Sequence, residues 1–268
     1  RLPGATGSGE KRTMSDPARV DSLYRYPVKG LSGERLQSVS LEPGATFPMD
    51  RAFAIENGSS GFDPAAPSWQ PKIKFLCLMR NAKLATLETN YDDASGTLTV
   101  IKDGVPMAEA SLKTEAGRAA IEYFFQDFMG REARGPVKVL EAPGHSFSDV
   151  AAKVAHIVNL GTVDDLGASI RREIHPLRFR ANIYLTGWKP WREFDLIGRT
   201  IRVGSVEMQI TKRVVRCAAT EVNPESAERD IDIPEAIWRK TGENDLGVYA
   251  RVVSAGKISP GDKVEIVD

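Results

Sequence analysis

The chain is poor in the features that mark several protein classes. It carries two cysteines in 268 residues, Cys77 and Cys217, which is too few for a disulfide framework and suits a reduced compartment. No apolar run approaches the ~20 residues of a spanning helix. Net charge is also missing: 36 Lys plus Arg face 36 Asp plus Glu, so no global field steers the protein toward nucleic acid or an anionic membrane. Any anion site must therefore be local, and a soluble cytoplasmic protein is expected. The sequence holds no GxxxxGK(S/T) loop, no GxGxxG after a strand, no GxSxG elbow and no HExxH helix, so the common nucleotide and hydrolase signatures fail. His145, His156 and His175 show no ligand spacing among themselves or with the cysteines, which argues against zinc.

What is present is ordinary core material, 41% hydrophobic with 23 Gly and 16 Pro, enough for one large domain or two small ones. Residues 1–13 read as a loose tail or expression scar, with Met14 as a candidate start. VDSLYRYPVK, LQSVSL, RAFAI, LATLETNY and TLTVI read as strands, the last two forming a hairpin across DDASG with Gly96 available for positive φ. Pro27 predicts that the first strand lies at an edge or leaves its sheet there. Thr114 is a candidate N-cap for a helix in which Ile121, Phe124, Phe125 and Phe128 form a core-facing stripe before Gly130. Further on, VKVLEA, AHIVNL, FRANIYL, TIRV, VEMQIT, VVRCAATEV, GVYARVV and KVEIV are strand-like. Short helices are predicted after a weak capping box at Thr162 and Asp165, and from Asp232 through IPEAIWRK. The fold class is mainly β, a barrel or sandwich with a few helices.

Cys217 is the candidate for chemistry because Lys212, Arg213 and Arg216 precede it, and cationic neighbours favour the metal-binding thiolate. Strand alternation could equally turn Arg216 away from it. Cys77, in FLCLM, reads as core filler. Lys29, Arg51, Arg178, Arg180 and Arg216 fall at predicted strand ends, and several converging cations are what a phosphate site needs. Asn182, two residues after Arg180, would share its strand face.

The segments YPVKGL (26–31), MDRAFAI (49–55), FRANIYL (179–185), VVRCAATEVNP (214–224) and GVYARV through GDKVEI resemble the MOSC proteins that carry an additional N-terminal β-domain. That group includes the mitochondrial amidoxime-reducing component and its bacterial relatives. The resemblance implies a β-rich N-terminal domain at 14–112 and a MOSC β-barrel at 113–268. It also implies the molybdenum cofactor (molybdopterin), with Cys217 as metal ligand and catalytic residue. Lys29, Arg51, Asn159, Arg180, Asn182 and Arg216 would then bind the cofactor. Gly30 stands where relatives often carry Ser, and Trp69-Gln70-Pro71-Lys72 is the nearest counterpart to their Arg-Gln-x-Pro stretch. By the same resemblance the expected activity is reduction of N-hydroxylated or related compounds, with electrons from a separate donor protein, because no flavin, haem or iron–sulfur motif is present. The rival expectation is a sulfur carrier or cofactor-handling protein working through a Cys217 persulfide.

Overall fold

The computed structural model describes residues 17–267, so the expected tail and Met14 lie outside the described residues. The first half contains β1 (Arg19–Arg25), β2 (Glu34–Leu36), β3 (Val39–Leu41), β4 (Phe53–Asn57), β5 (Leu87–Asp92), β6 (Thr97–Lys102), β7 (Val105–Ser111), α1 (Glu115–Met129) and β8 (Val137–Glu141). The second contains β9 (Ala155–Asn159), α2 (Leu160–Ile170), β10 (Ile183–Thr186), β11 (Thr200–Val203), β12 (Val206–Val215), α3 (Ile233–Thr241), β13 (Asp245–Ser254), β14 (Gly256–Ile258) and β15 (Val264–Ile266). The protein is mainly β, as expected. Among the described residues, no helix is long and apolar enough to cross a membrane.

The principal sheet runs β15-β11-β12-β13-β9-β10-β1-β2. It curls until Arg19 bridges Lys263, with Val264 N–H donating to Ala18 O at 2.8 Å, but the ladder does not close into a barrel. β9 and β10 are parallel neighbours joined through α2, whereas the pairs β1–β10 and β9–β13 are antiparallel. The β5–β6–β7 meander and the β4–β8 pair form smaller sheets beside it. The expected hairpin is present, with Gly96 at φ +71°. β1 ends at Arg25, before Pro27 can cost it a ladder bond. In α1 the Thr114 hydroxyl accepts from Gly117 N–H at 3.1 Å, and Ile121, Phe125 and Met129 are buried at four-residue steps. Asp232 likewise caps α3 through Glu235 N–H at 2.9 Å.

Among the described residues, the buried hydrophobic ones form two large clusters, a third around α2 and α3, and a small one of Ala54, Phe75 and Phe147. One large cluster combines Val20, Leu23, Val39 and Leu41 with the strands after 155, so β1 and β3 serve the C-terminal core. The other large cluster runs from Val28 to Val139 and takes in the buried face of α1, which packs on β7 and β8.

Three local expectations are corrected. α2 starts at Leu160 with Asn159 as its N-cap, and Thr162 lies inside the helix. FRANIYL is strand only from Ile183: Phe179 ends a 3-10 turn (Pro176–Phe179), and Arg180 follows it in the left-handed region at φ +52°. VVRCAATEV is strand only through Val215, after which Cys217 leads a second 3-10 turn (Ala218–Glu221).

Candidate functional site

A cavity of about 410 Å³ is lined by residues from both halves of the chain. Sheet register builds one wall. Asn182 N–H donates to His156 O, His156 faces Tyr249 across β9–β13, and Tyr249 faces Lys212 across β13–β12. Residues in line across a sheet share a face, so this single row sends four side chains to the cavity. Asn182 also accepts from His156 N–H at 3.0 Å through its side-chain oxygen, fixing the start of β10 to β9.

The end of β12 supplies Arg216 and Cys217, and both line the cavity. Arg216 is buried and anchored: Nε donates to Leu246 O at 2.7 Å, Nη1 to Phe179 O at 3.2 Å, and Nη2 lies 2.6 Å from His156 Nε2. Burial pulls its pKa down to about 10. Burial, then the charges of Arg216 and Arg51, holds His156 well below its usual value, so the ring is neutral and Nε2 accepts the guanidinium hydrogen. A glycine is required alongside: at Gly247, with φ +76°, a Cβ would stand 2.7 Å from Ile157 O and 3.1 Å from Arg216 Nη2.

Two more guanidiniums share one aromatic platform. Arg51 lies 4.6 Å and Arg180 4.2 Å from the centroid of the buried Tyr26 ring. Arg51 donates to Asp50 at 2.6 Å and to Arg180 O at 3.0 Å, while Asp50 also accepts from Tyr26 N–H at 2.9 Å. Both arginines adopt positive φ, +51° and +52°, a strained backbone that places them in the cavity wall. Burial first, then the nearby Arg51 charge, brings Arg180 down to about 10, and its Nη2 is a buried donor without a partner.

Opposite them, Asp149 bridges two ammonium groups, Lys29 Nζ at 2.7 Å and Lys72 Nζ at 2.9 Å. Lys72 Nζ continues to Cys217 Sγ at 3.2 Å. The surrounding protein partly desolvates the Asp149 carboxylate although the side chain is 44% exposed, and the two lysines outweigh that effect and hold the carboxyl well below the usual range. For Lys72, burial is outweighed by Asp149 and the Cys217 sulfur, and the ammonium is held above its ordinary value. Among the described residues, no three His, Cys, Asp or Glu side chains gather as a metal-holding group. A metal at Cys217 would thus depend on a single protein thiolate plus donors it brings with it.

The sequence matches the MOSC N-terminal beta barrel domain over residues 17–139 and the MOSC domain over residues 143–265. The chain belongs to the MOSC family. No protein of curated function matches it. Among solved structures, the YUAD protein from Bacillus subtilis is 14% identical, with 93% of this chain and 94% of that one covered at a TM-score of 0.46. YiiM from Geobacillus stearothermophilus is 23% identical over 42% of this chain and 54% of its own, with a TM-score of 0.34. YiiM from Escherichia coli is 18% identical over the same shares, with a TM-score of 0.30.

The cavity lies on the seam between the two matched regions. Lys29, Arg51 and Lys72 come from the N-terminal one, and His156, Arg180, Asn182, Arg216 and Cys217 from the MOSC domain. Six of the seven residues that the resemblance assigned to the site thus meet at one cavity, and Arg178, Lys212 and Arg213 line it as well. Asn159 does not. It is fully buried as the cap of α2, accepting from Gly161 N–H at 3.1 Å and donating to Lys189 O at 2.9 Å and Glu193 at 3.1 Å. With those bonds made, its amide belongs to the α2 anchor and not to the cavity. Sequence reasoning missed Lys72, Asp149 and His156 as cavity residues, and Cys77 lines the cavity although it is buried as core.

Proposed function

We propose that this cavity binds the molybdenum cofactor with Cys217 as the protein ligand to the metal, in an oxidoreductase that reduces N-hydroxylated or related compounds. One observation carries the reading: the Cys217 thiol, 3.2 Å from Lys72 Nζ, faces the same cavity as the paired guanidiniums of Arg51 and Arg180. A phosphate-bearing group with a soft metal asks for this donor set, cations at one end and one thiolate at the other. The partnerless Arg180 Nη2 is a buried donor that an anion would satisfy. When bound, the cofactor supplies redox chemistry at molybdenum.

The chain's own residues have positioning work. Lys29, Arg51 and Arg180 would hold the phosphate, and Arg51 and Arg180 are pre-set by Tyr26 and Asp50. Asn182 and Arg216 fix the wall, because their hydrogen bonds go to neighbouring strands and the 3-10 turn. Lys72 keeps a positive charge beside Cys217 Sγ. Electrons would come from a separate donor protein. The same Lys72 contact also favours a second reading, in which Cys217 carries sulfur as a persulfide.

The test is metal and pterin analysis of protein made in a cofactor-producing host, followed by turnover of a hydroxylamine-type substrate with a supplied reductant. Stoichiometric molybdenum with released pterin, and loss of the metal in Cys217→Ser, are expected. Labile sulfur on Cys217 without metal would replace this reading with the second, full metal content in Cys217→Ser would remove the thiolate from the first, and retained turnover in that variant would remove it from both.

A further inference from the structure

We propose that Asp149 is an internal competitor for the cavity's lysines, so that the site admits only anions able to displace a carboxylate from two ammonium groups at once. The inference rests on the reading of the cavity as a phosphate cradle and adds a residue that sets its selectivity. Its ground is the line of contacts from Lys29 through Asp149 and Lys72 to Cys217, at 2.7, 2.9 and 3.2 Å. Each oxygen of the carboxylate takes one lysine, so neither ammonium faces the cavity without a countercharge. Arg51 is similarly matched by Asp50. Arg180 alone among these four cations has no carboxylate partner, and it is the one with a partnerless donor.

The backbone carrying Asp149 is held independently of that carboxylate. Phe147 N–H donates to Arg51 O at 2.8 Å, Ser146 Oγ to Asp50 O at 2.9 Å, and Ser148 Oγ to Val150 O at 2.6 Å. Lys29 Nζ also donates to Phe147 O at 2.8 Å, so the lysine stays anchored when the carboxylate leaves. The Asp149 side chain is 44% exposed and can turn outward without burying its charge. A singly charged anion gains no more from the two lysines than Asp149 already supplies. A phosphate dianion that also reaches Arg180 gains an additional charge-assisted bond and displaces it.

The test is calorimetric titration of the full chain with inorganic phosphate at low ionic strength. Asp149→Asn is expected to bind phosphate about tenfold more tightly than the parent, since two ammonium donors lose their internal acceptor. Asp149→Ser should reproduce the gain, which protects the result against a folding defect in one variant. Asp149→Glu, which keeps the charge, should stay at the parent value. Equal or weaker binding by both neutral variants overturns the inference. If Arg180→Gln abolishes phosphate binding while Asp149→Asn leaves it unchanged, the cradle stands and the competitor falls. If Asp149→Asn binds more tightly but is indifferent to Arg180→Gln and Arg51→Gln, the competitor stands and the arginine cradle falls. Absence of binding in every form overturns both.

Discussion

Tyr26→Leu isolates what the shared aromatic platform contributes. Two guanidiniums of like charge stand 4.6 and 4.2 Å from the same buried ring, an arrangement that repulsion alone would open. A desolvated cation–π contact is worth about 1–2 kcal/mol, so losing two removes roughly 2–4 kcal/mol. Trimming an aromatic ring to Leu in a packed site adds about 1 kcal/mol for lost volume. The expected total is about 3–5 kcal/mol of unfolding free energy, measured by urea denaturation of Tyr26→Leu against the parent. Tyr26→Phe is the control, because it keeps the ring and therefore most of the stabilisation. In folded Tyr26→Leu the phosphate affinity should also fall, since Arg51 and Arg180 are no longer held together. The reasoning is refuted if Tyr26→Leu costs less than about 1 kcal/mol, or if Tyr26→Phe costs as much as Leu.

Asn159→Ala should cost about 2–3 kcal/mol in the same assay, from a lost helix cap and a buried Glu193 carboxyl deprived of one donor, while phosphate affinity in the folded protein stays unchanged. A several-fold loss of affinity without a loss of stability would return Asn159 to the cavity. Partial desolvation opposes ionised Asp149, yet Lys29 and Lys72 hold its folded pKa below the unfolded value, so its contribution is present above about pH 4 and lost as pH falls through the folded value. Asp149→Asn should therefore flatten the acid limb of a stability–pH curve, and an unaltered acid limb would show that the two ion pairs do not favour folding.

What could be read from the sequence was whatever depends on near neighbours. The β5–β6 hairpin, the Thr114 and Asp232 caps and the buried stripe of α1 follow from spacings of two to four residues, and they are all present. The α2 cap went to Asn159 because Thr162 has a stronger engagement: its hydroxyl donates to Glu193 at 2.8 Å and accepts from Trp191 N–H at 2.8 Å, partners 31 and 29 residues away. Arg180 was expected to share a strand face with Asn182, but the 3-10 turn sets it in a left-handed conformation, and it reaches the cavity by that route. Lys72 and Asp149 were invisible as a pair for the same reason, since 77 residues separate them. His156 gains its role only from sheet register, which sets it opposite Tyr249 and beside Arg216.

A chain without net charge has gathered Lys29, Arg51, Lys72, Arg178, Arg180, Lys212, Arg213 and Arg216 around one cavity against the carboxylates of Asp50 and Asp149. Such a concentration works against folding unless each charge finds a partner, and the structure shows how most of them do. Arg216 spends its donors on backbone carbonyls and a neutral imidazole, Arg178 reaches Asp230 at 2.5 Å, and Lys212 and Arg213 lie over the rings of Tyr249 and Phe194. Pairings with the scaffold hold cations in place, whereas the Asp149 pairings can be exchanged for a ligand's charge at little structural cost. On the proposed reading, this distinction between fixed and exchangeable partners would put Lys29 and Lys72 beside Arg51 and Arg180 among the cations that bind the ligand. A ligand that replaced Asp149 would leave both ammonium groups paired and give an acceptor to Arg180 Nη2, a buried donor that otherwise has none, so binding and folding would draw on the same charges without opposing each other.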